Sequence, residues 1–175
     1  MPSALMAGVS DATCIACGST MRRLVVLDPV PSQIPLHSRR RIDFGYCFTC
    51  VGGWGPSWYQ HDSEGRPTML SKPHENPIQF ELDEVRPEVV IGFHDSGDRW
   101  QRQDWGASNS RENLNRLGGE FTWVQNPEPL SCPICSRTMV ALLQLDWGHL
   151  IWGEGISYVQ WCDACAVSGL TFQQT

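Results

Sequence analysis

Eight cysteines, set out as four Cys-x-x-Cys pairs, are the residues of this chain best suited to chemistry: Cys14 and Cys17, Cys47 and Cys50, Cys132 and Cys135, Cys162 and Cys165. Two cysteines three apart on a tight turn can bring both sulfurs to one ion, with backbone N–H groups turned toward the sulfurs to soften their charge. A small residue just after the pair eases the positive φ of such a turn, and Gly18 and Ser136 stand there, while Pro133 pre-sets the backbone inside its own pair. Zinc makes no geometric demand from d-electrons, so four thiolates in a tetrahedron suit it. The expected sites are Cys14, Cys17, Cys47 and Cys50, then Cys132, Cys135, Cys162 and Cys165, with two zinc ions per chain. A closed four-thiolate shell leaves no position for an activated water, which makes the expected role structural, stabilising the fold by on the order of 10 kcal/mol.

Three other uses of these cysteines are weighed against zinc. Iron in a rubredoxin-like site takes the same ligands and would make the chain an electron carrier, but Val51 and Ala166 stand where glycine would follow the second pairs. A thioredoxin-type redox motif needs one exposed reactive pair rather than four matched ones. Disulfides need an oxidising compartment. Met1 to Ala12 has neither a basic n-region nor a sustained apolar stretch, so it does not read as a secretory signal. The apolar runs fall far below the ~18 residues that cross a membrane. The expected compartment is reducing and cytoplasmic.

Catalysis finds no support. His37, His61, His74, His94 and His149 are scattered, and neither His-Glu-x-x-His nor Gly-x-Ser-x-Gly occurs. His94-Asp95 and Asp98 read as a polar turn, and Gly52-Gly53 and Gly118-Gly119 lack the Gly-Lys-Ser/Thr context of a phosphate loop. No catalytic and no organic-cofactor residue is predicted, and the chain is expected not to be an enzyme. The net charge is −6. Each filled four-thiolate site adds about −2, for a total of roughly −10. That argues against a general nucleic-acid binder, which needs a basic face; Arg39-Arg40-Arg41 is a weak signal for a local basic patch and reads rather as a solvated loop or strand edge. The eight tryptophans, at 54, 58, 100, 105, 123, 147, 152 and 161, read chiefly as packing.

The elements that must position the cysteines come as an internal repeat. Cys14 to Asp28 aligns without a gap on Cys132 to Asp146, with seven identities in fifteen positions: both cysteines, Thr, Met, two Leu and the closing Asp. More loosely, Phe44 to Cys50 corresponds to Val159 to Cys165, an aromatic preceding the first cysteine in each. Between paired knuckles lie 29 residues (18–46) in the first unit and 26 (136–161) in the second. Each unit reads as knuckle, strand, loop, strand, knuckle. The strand runs are Leu24 to Leu27 and Ile42 to Tyr46, then Val140 to Leu145 and Ile156 to Trp161, with the third apolar on both faces. An antiparallel pair returns the second knuckle to the first. In the middle segment, Ile78 to Val85 alternates as a half-buried strand, Glu88 to Phe93 follows as another, and a short helix is predicted over Arg111 to Leu117, with Ser110 as N-cap and Gly118 just past its end. The expected fold is mainly β with little helix. Residues 1–175 form one domain of two related halves: four-cysteine units at 14–50 and 132–175, and a β-rich segment at 51–131.

The run Leu117-Gly118-Gly119-Glu120-Phe121-Thr122-Trp123-Val124-Gln125, followed by Pro127, Pro129, Cys132-Pro133-Ile134-Cys135, Met139, Gln144-Leu145 and the closing Leu170-Thr171-Phe172-Gln173, resembles the YwqG-like family of bacterial proteins. It is also similar to the programmed cell death 2 type of eukaryotic zinc proteins. The resemblance covers residues 117–173, and Phe121 departs from it where the family often has proline. It implies a non-enzymatic protein-binding module, since the eukaryotic relatives look like dedicated chaperones for a ribosomal protein. The expected function is therefore a zinc-binding chaperone or adaptor whose acidic charge suits a basic protein client. The alternatives are a toxin-immunity protein, a metal-dependent enzyme and a rubredoxin-like electron carrier.

Overall fold

The run Thr20–Leu27 is buried at every position but the first. Its β-branched and leucine side chains suit a strand covered on both faces. In a computed structural model it is the third of eleven strands among the described residues. The structure describes residues 3–34, 36, 39–51, 55–71, 86–93, 115–150 and 154–174. The strands are β1 (Ser3–Met6), β2 (Val9–Thr13), β3 (Thr20–Leu27), β4 (Ile42–Tyr46), β5 (Ser57–His61), β6 (Pro67–Met69), β7 (Val89–Gly92), β8 (Arg116–Leu117), β9 (Val140–Asp146), β10 (Ile156–Cys162) and β11 (Val167–Gln173); among the described residues there are also a short α-helix, α1 (Phe48–Val51), and a 3-10 turn at Trp147–His149. The protein is mainly β, in two antiparallel sheets. No helix among the described residues is long and apolar enough to cross a membrane.

The first sheet is built around β3. β4 pairs along one edge of it, with Val25 opposite Phe44 and Leu27 opposite Ile42. β1 and β2 share the other edge, where Val25 faces Met6 and Arg22 faces Val9. Between them the chain bends at Ala7 and Gly8, both at positive φ. β7 lies outside β1. The second sheet runs β6-β5-β11-β10-β9-β8. Thus β9, β10 and β11 form a meander, while β5, which follows the first four-cysteine unit in sequence, pairs with β11 of the second.

All four strands expected within the repeat form, the first beginning earlier, at Thr20. The candidate at Glu88 to Phe93 becomes Val89–Gly92. The candidate at 78–85 lies outside the described residues. The short helix expected over 111–117 needs correction where it can be seen. Arg116 and Leu117 are a strand, registered on Gln144 and Leu143 of β9. A stripe of only Leu114 and Leu117 is too narrow to bury a helix face, whereas pairing with β9 satisfies the backbone and half-buries Leu117. Gly118 and Gly119 form the turn after that strand, both at positive φ.

One hydrophobic cluster draws on both halves, from Met21, Leu24, Leu27, Ile42 and Phe44 to Leu142, Leu145, Val159 and Trp161. A smaller cluster holds Leu130, Cys132, Met139, Cys162 and Val167. Ser10, Arg23 and Asp43, polar residues buried beside the core, cluster together. The Ser10 hydroxyl donates to the Asp43 carboxylate at 2.8 Å, and Arg23 lies 3.9 Å from it and also pairs with Glu88. Burial raises the pKa of Asp43 against the pull of Ser10 and Arg23. Gly65, at φ +76°, turns the chain between β5 and β6 and accepts from the Asp43 N–H. A Cβ there would run into the Arg41 carbonyl.

Residues 121–130 cross the second sheet as an extended strap held by side chains rather than by strand pairing. The Thr122 N–H donates to Gln144 Oε1, the Val124 N–H to the Tyr158 hydroxyl, the Gln125 N–H to Gln173 Oε1 and the Leu130 N–H to Gln160 Oε1. In return Tyr158 donates to the Thr122 carbonyl, Gln173 to that of Asn126 and Gln160 to that of Glu128. Gln144, Gln160 and Gln173 are each at most 3% exposed. Each would be costly if unpaired, and the strap supplies the partners.

Candidate metal centres

β3 and β4 are antiparallel neighbours, so the knuckle before β3 and the knuckle after β4 meet at one end of the first sheet. β9 and β10 repeat the arrangement in the second. In consequence the sulfurs of Cys14, Cys17, Cys47 and Cys50 all lie within 4.8 Å of one another, and so do those of Cys132, Cys135, Cys162 and Cys165. These are the two groupings expected from the spacing, and each could hold a metal ion.

The first knuckles are superposable in their hydrogen bonding. The Gly18 N–H donates to the Cys14 carbonyl and the Cys14 N–H to that of Ser19; the Ser136 N–H donates to Cys132 and the Cys132 N–H to Arg137. Gly18 and Ser136 sit at φ +75° and +60°, which is the left-handed position their small size was expected to ease. The second knuckles differ. Cys47–Cys50 runs into α1, with the Cys47 N–H donating to the Tyr59 hydroxyl, whereas Cys162–Cys165 turns directly into β11, with the Trp161 indole donating to Asp163.

Sulfur separations test the fit of an ion. Cys14 and Cys50 are 3.8 Å apart, Cys17 and Cys47 3.5 Å, and Cys135 and Cys162 3.6 Å. A disulfide would require about 2.05 Å. Metal–sulfur bonds of about 2.3 Å in a tetrahedron set the sulfurs about 3.8 Å apart. The donor set and its spacing therefore fit a tetrahedral thiophilic ion in both places.

Charge within each foursome is unevenly spread. At Cys17, burial raises the pKa, but hydrogen bonds from the side chain and backbone of Ser19 outweigh it and bring the thiol down to about 6. Hydrogen bonds from the side chain and backbone of Arg137 hold Cys135 at about 6 as well. Burial pushes Cys47 and Cys162 up and Cys50 up to about 12. Cys165 is pushed up to about 12, first through its contact with the Cys135 sulfur. An entering divalent ion must displace the protons these neighbours hold, so affinity falls as pH falls.

The other sequence candidates divide. His61 is buried, its ring between Gly65 O at 3.3 Å and Ser168 Oγ at 2.8 Å, edge-on to Phe44 and Trp161, and it is not a member of either cysteine group. His37, His74, His94, Asp95, Asp98, Gly52, Gly53 and Trp54 lie outside the described residues. Trp161 and Trp147 are buried, while Trp58 and Trp123 are half-buried, Trp123 stacking on Tyr158 at 4.5 Å. Among the described residues the large exposed apolar side chains are aliphatic: Val9, Ile15, Leu70, Val89, Val90, Ile134 and Val140. Of Arg39-Arg40-Arg41, Arg41 pairs with Asp11 and Asp28, and Arg39 reaches the His61 carbonyl. Sequence reasoning missed the strap and its glutamines.

The fold and sites define a mainly β protein with two four-cysteine clusters that could bind metal. No family model matches the chain, and no solved structure matches it. A stretch of 65 residues is 34% identical to the uncharacterized protein YpfL of Salmonella typhimurium, covering 35% of this chain and 15% of that protein's length.

Proposed function

We propose that this is a non-enzymatic protein carrying two structural zinc ions, one per four-cysteine centre, and that it serves as a binding module for another protein in a reducing compartment. The observation that supports it best is the sulfur geometry: separations of 3.5–3.8 Å between facing cysteines of both centres match a closed tetrahedral thiolate shell, which has no open position for Lewis-acid chemistry. Four thiolates favour zinc or iron among common ions. Zinc is the reading here because the role asked of the sites is to tie strand ends together, which needs no redox change. The binding role is supported by the resemblance of residues 117–173 to the programmed cell death 2 type of zinc proteins, which look like chaperones for a ribosomal protein, and by the net charge of −6, which favours a basic protein surface.

The test is elemental analysis of the protein purified without added metal, with its visible spectrum. About two zinc ions per chain and no colour are expected. Iron with visible absorbance would replace the structural reading by electron transfer. Affinity purification from the native host then tests the binding role, with a basic protein as the expected partner; repeated recovery of nothing specific would remove it.

A further inference from the structure

The two centres share a repeat, and the sixth residue of each knuckle segment is where their surroundings part. Ser19 stands there in the first and Arg137 in the second. Both residues reach the same sulfur of their own centre, the more exposed second cysteine of the knuckle. Ser19 does so through its hydroxyl, hydrogen-bonded to Cys17. Arg137 does so through its guanidinium, whose Nε–H donates to Cys135 Sγ at 3.5 Å. The guanidinium also feels the Cys162 and Cys165 sulfurs electrostatically. A neutral donor thus serves one centre and a cation the other.

A filled four-thiolate centre carries about −2. Beside Arg137 the local sum is about −1, while beside Ser19 it stays near −2. We infer that Arg137 is an outer-sphere, charge-compensating residue of the second centre, so that two centres with the same ligands hold their ions with different electrostatic support. The inference rests on the reading of both clusters as metal centres. Physically, the cation stabilises the crowded negative sulfurs and opposes the build-up of charge when an anionic chelator attacks the ion. Because Arg137 is exposed, salt screens the effect.

The experiment uses the full chain with its bound metal, mixed with excess chromogenic chelator, and follows release with time. Two phases are expected, one per centre. Arg137→Gln keeps the side chain's reach and polarity but removes its charge. It should speed one phase roughly three- to tenfold at low salt, leave the other unchanged, and lose most of that effect at about 1 M salt. Arg137→Lys should restore most of the slow release. Release unchanged by Arg137→Gln, or an acceleration that persists undiminished at high salt, would overturn the inference. Metal content measured on the same samples keeps the two readings apart. A chain that binds no metal overturns the metal reading itself, whereas two bound ions with release indifferent to Arg137 overturn only the role of Arg137.

Discussion

Cys132 is 1% exposed and sits in the smaller cluster with Leu130, Met139 and Val167. Replacing it by alanine removes a ligand and leaves three thiolates around an incomplete shell. Cys132→Ala should lose one of the two metal equivalents, retain the other in the first centre, and melt at markedly lower temperature; a variant with unchanged metal content and melting would sink the structural role of that centre. His61 makes a different residue-scale prediction. Burial lowers its pKa from 6.5 to about 4, against the hydrogen bond to the Gly65 carbonyl. The fold therefore holds it neutral while the unfolded chain takes up a proton. Its stabilising contribution is complete above about pH 6.5 and is lost as pH falls toward 4, by on the order of 3 kcal/mol. Chemical denaturation at pH 7 and pH 5 should show a steeper loss for the parent than for His61→Gln, and parallel losses would place the acid sensitivity elsewhere. The cysteines could be read from sequence because each knuckle is a local turn whose chemistry is set by adjacent residues. His61 could not, because its Ser168 partner lies 107 residues away. The same holds for Asp43, whose Ser10 partner is 33 residues away.

At the scale of elements, the repeat announced four strands because each carries its own apolar pattern next to a knuckle. The strap carries no such pattern. Residues 121–130 are rich in proline and polar side chains and read as loop, and only the sheet beneath explains their path. Gln160 fixes the far end of the strap by accepting from Leu130 and donating to Glu128 at 2.8 Å each. Gln160→Leu keeps the volume roughly but orphans both backbone groups, at a cost of about 1–3 kcal/mol. Amide exchange at Leu130 should rise sharply while that of β10 is little changed; unchanged protection at Leu130 would show that the glutamine does not hold the strap. The misreading of Arg116 and Leu117 as the end of a helix has the same origin. A two-residue strand such as β8 has too little sequence to reveal its period, and its pairing with β9 comes from a partner 26 or more residues onward.

For the whole molecule, duplication of a unit did not yield two independent bodies. The main cluster mixes Leu24 and Phe44 with Leu142 and Trp161, and sequence could announce the two halves without showing this shared core, since nothing local encodes which faces meet. The pairing of β5 with β11 carries this furthest, and it bears on the order in which the chain can assemble. Ser57 to Gln60 find their partners at Val167 to Leu170. During synthesis the hairpin of β5 and β6 emerges long before the strand that receives it. Through that interval one edge of the hairpin stands open, a template for any passing extended chain. Closure spans more than a hundred residues, so it is a late and slow event. The edge of β5 that β11 covers is thus without its partner until the end of the chain is made, whereas in the finished protein β5 is paired on both edges.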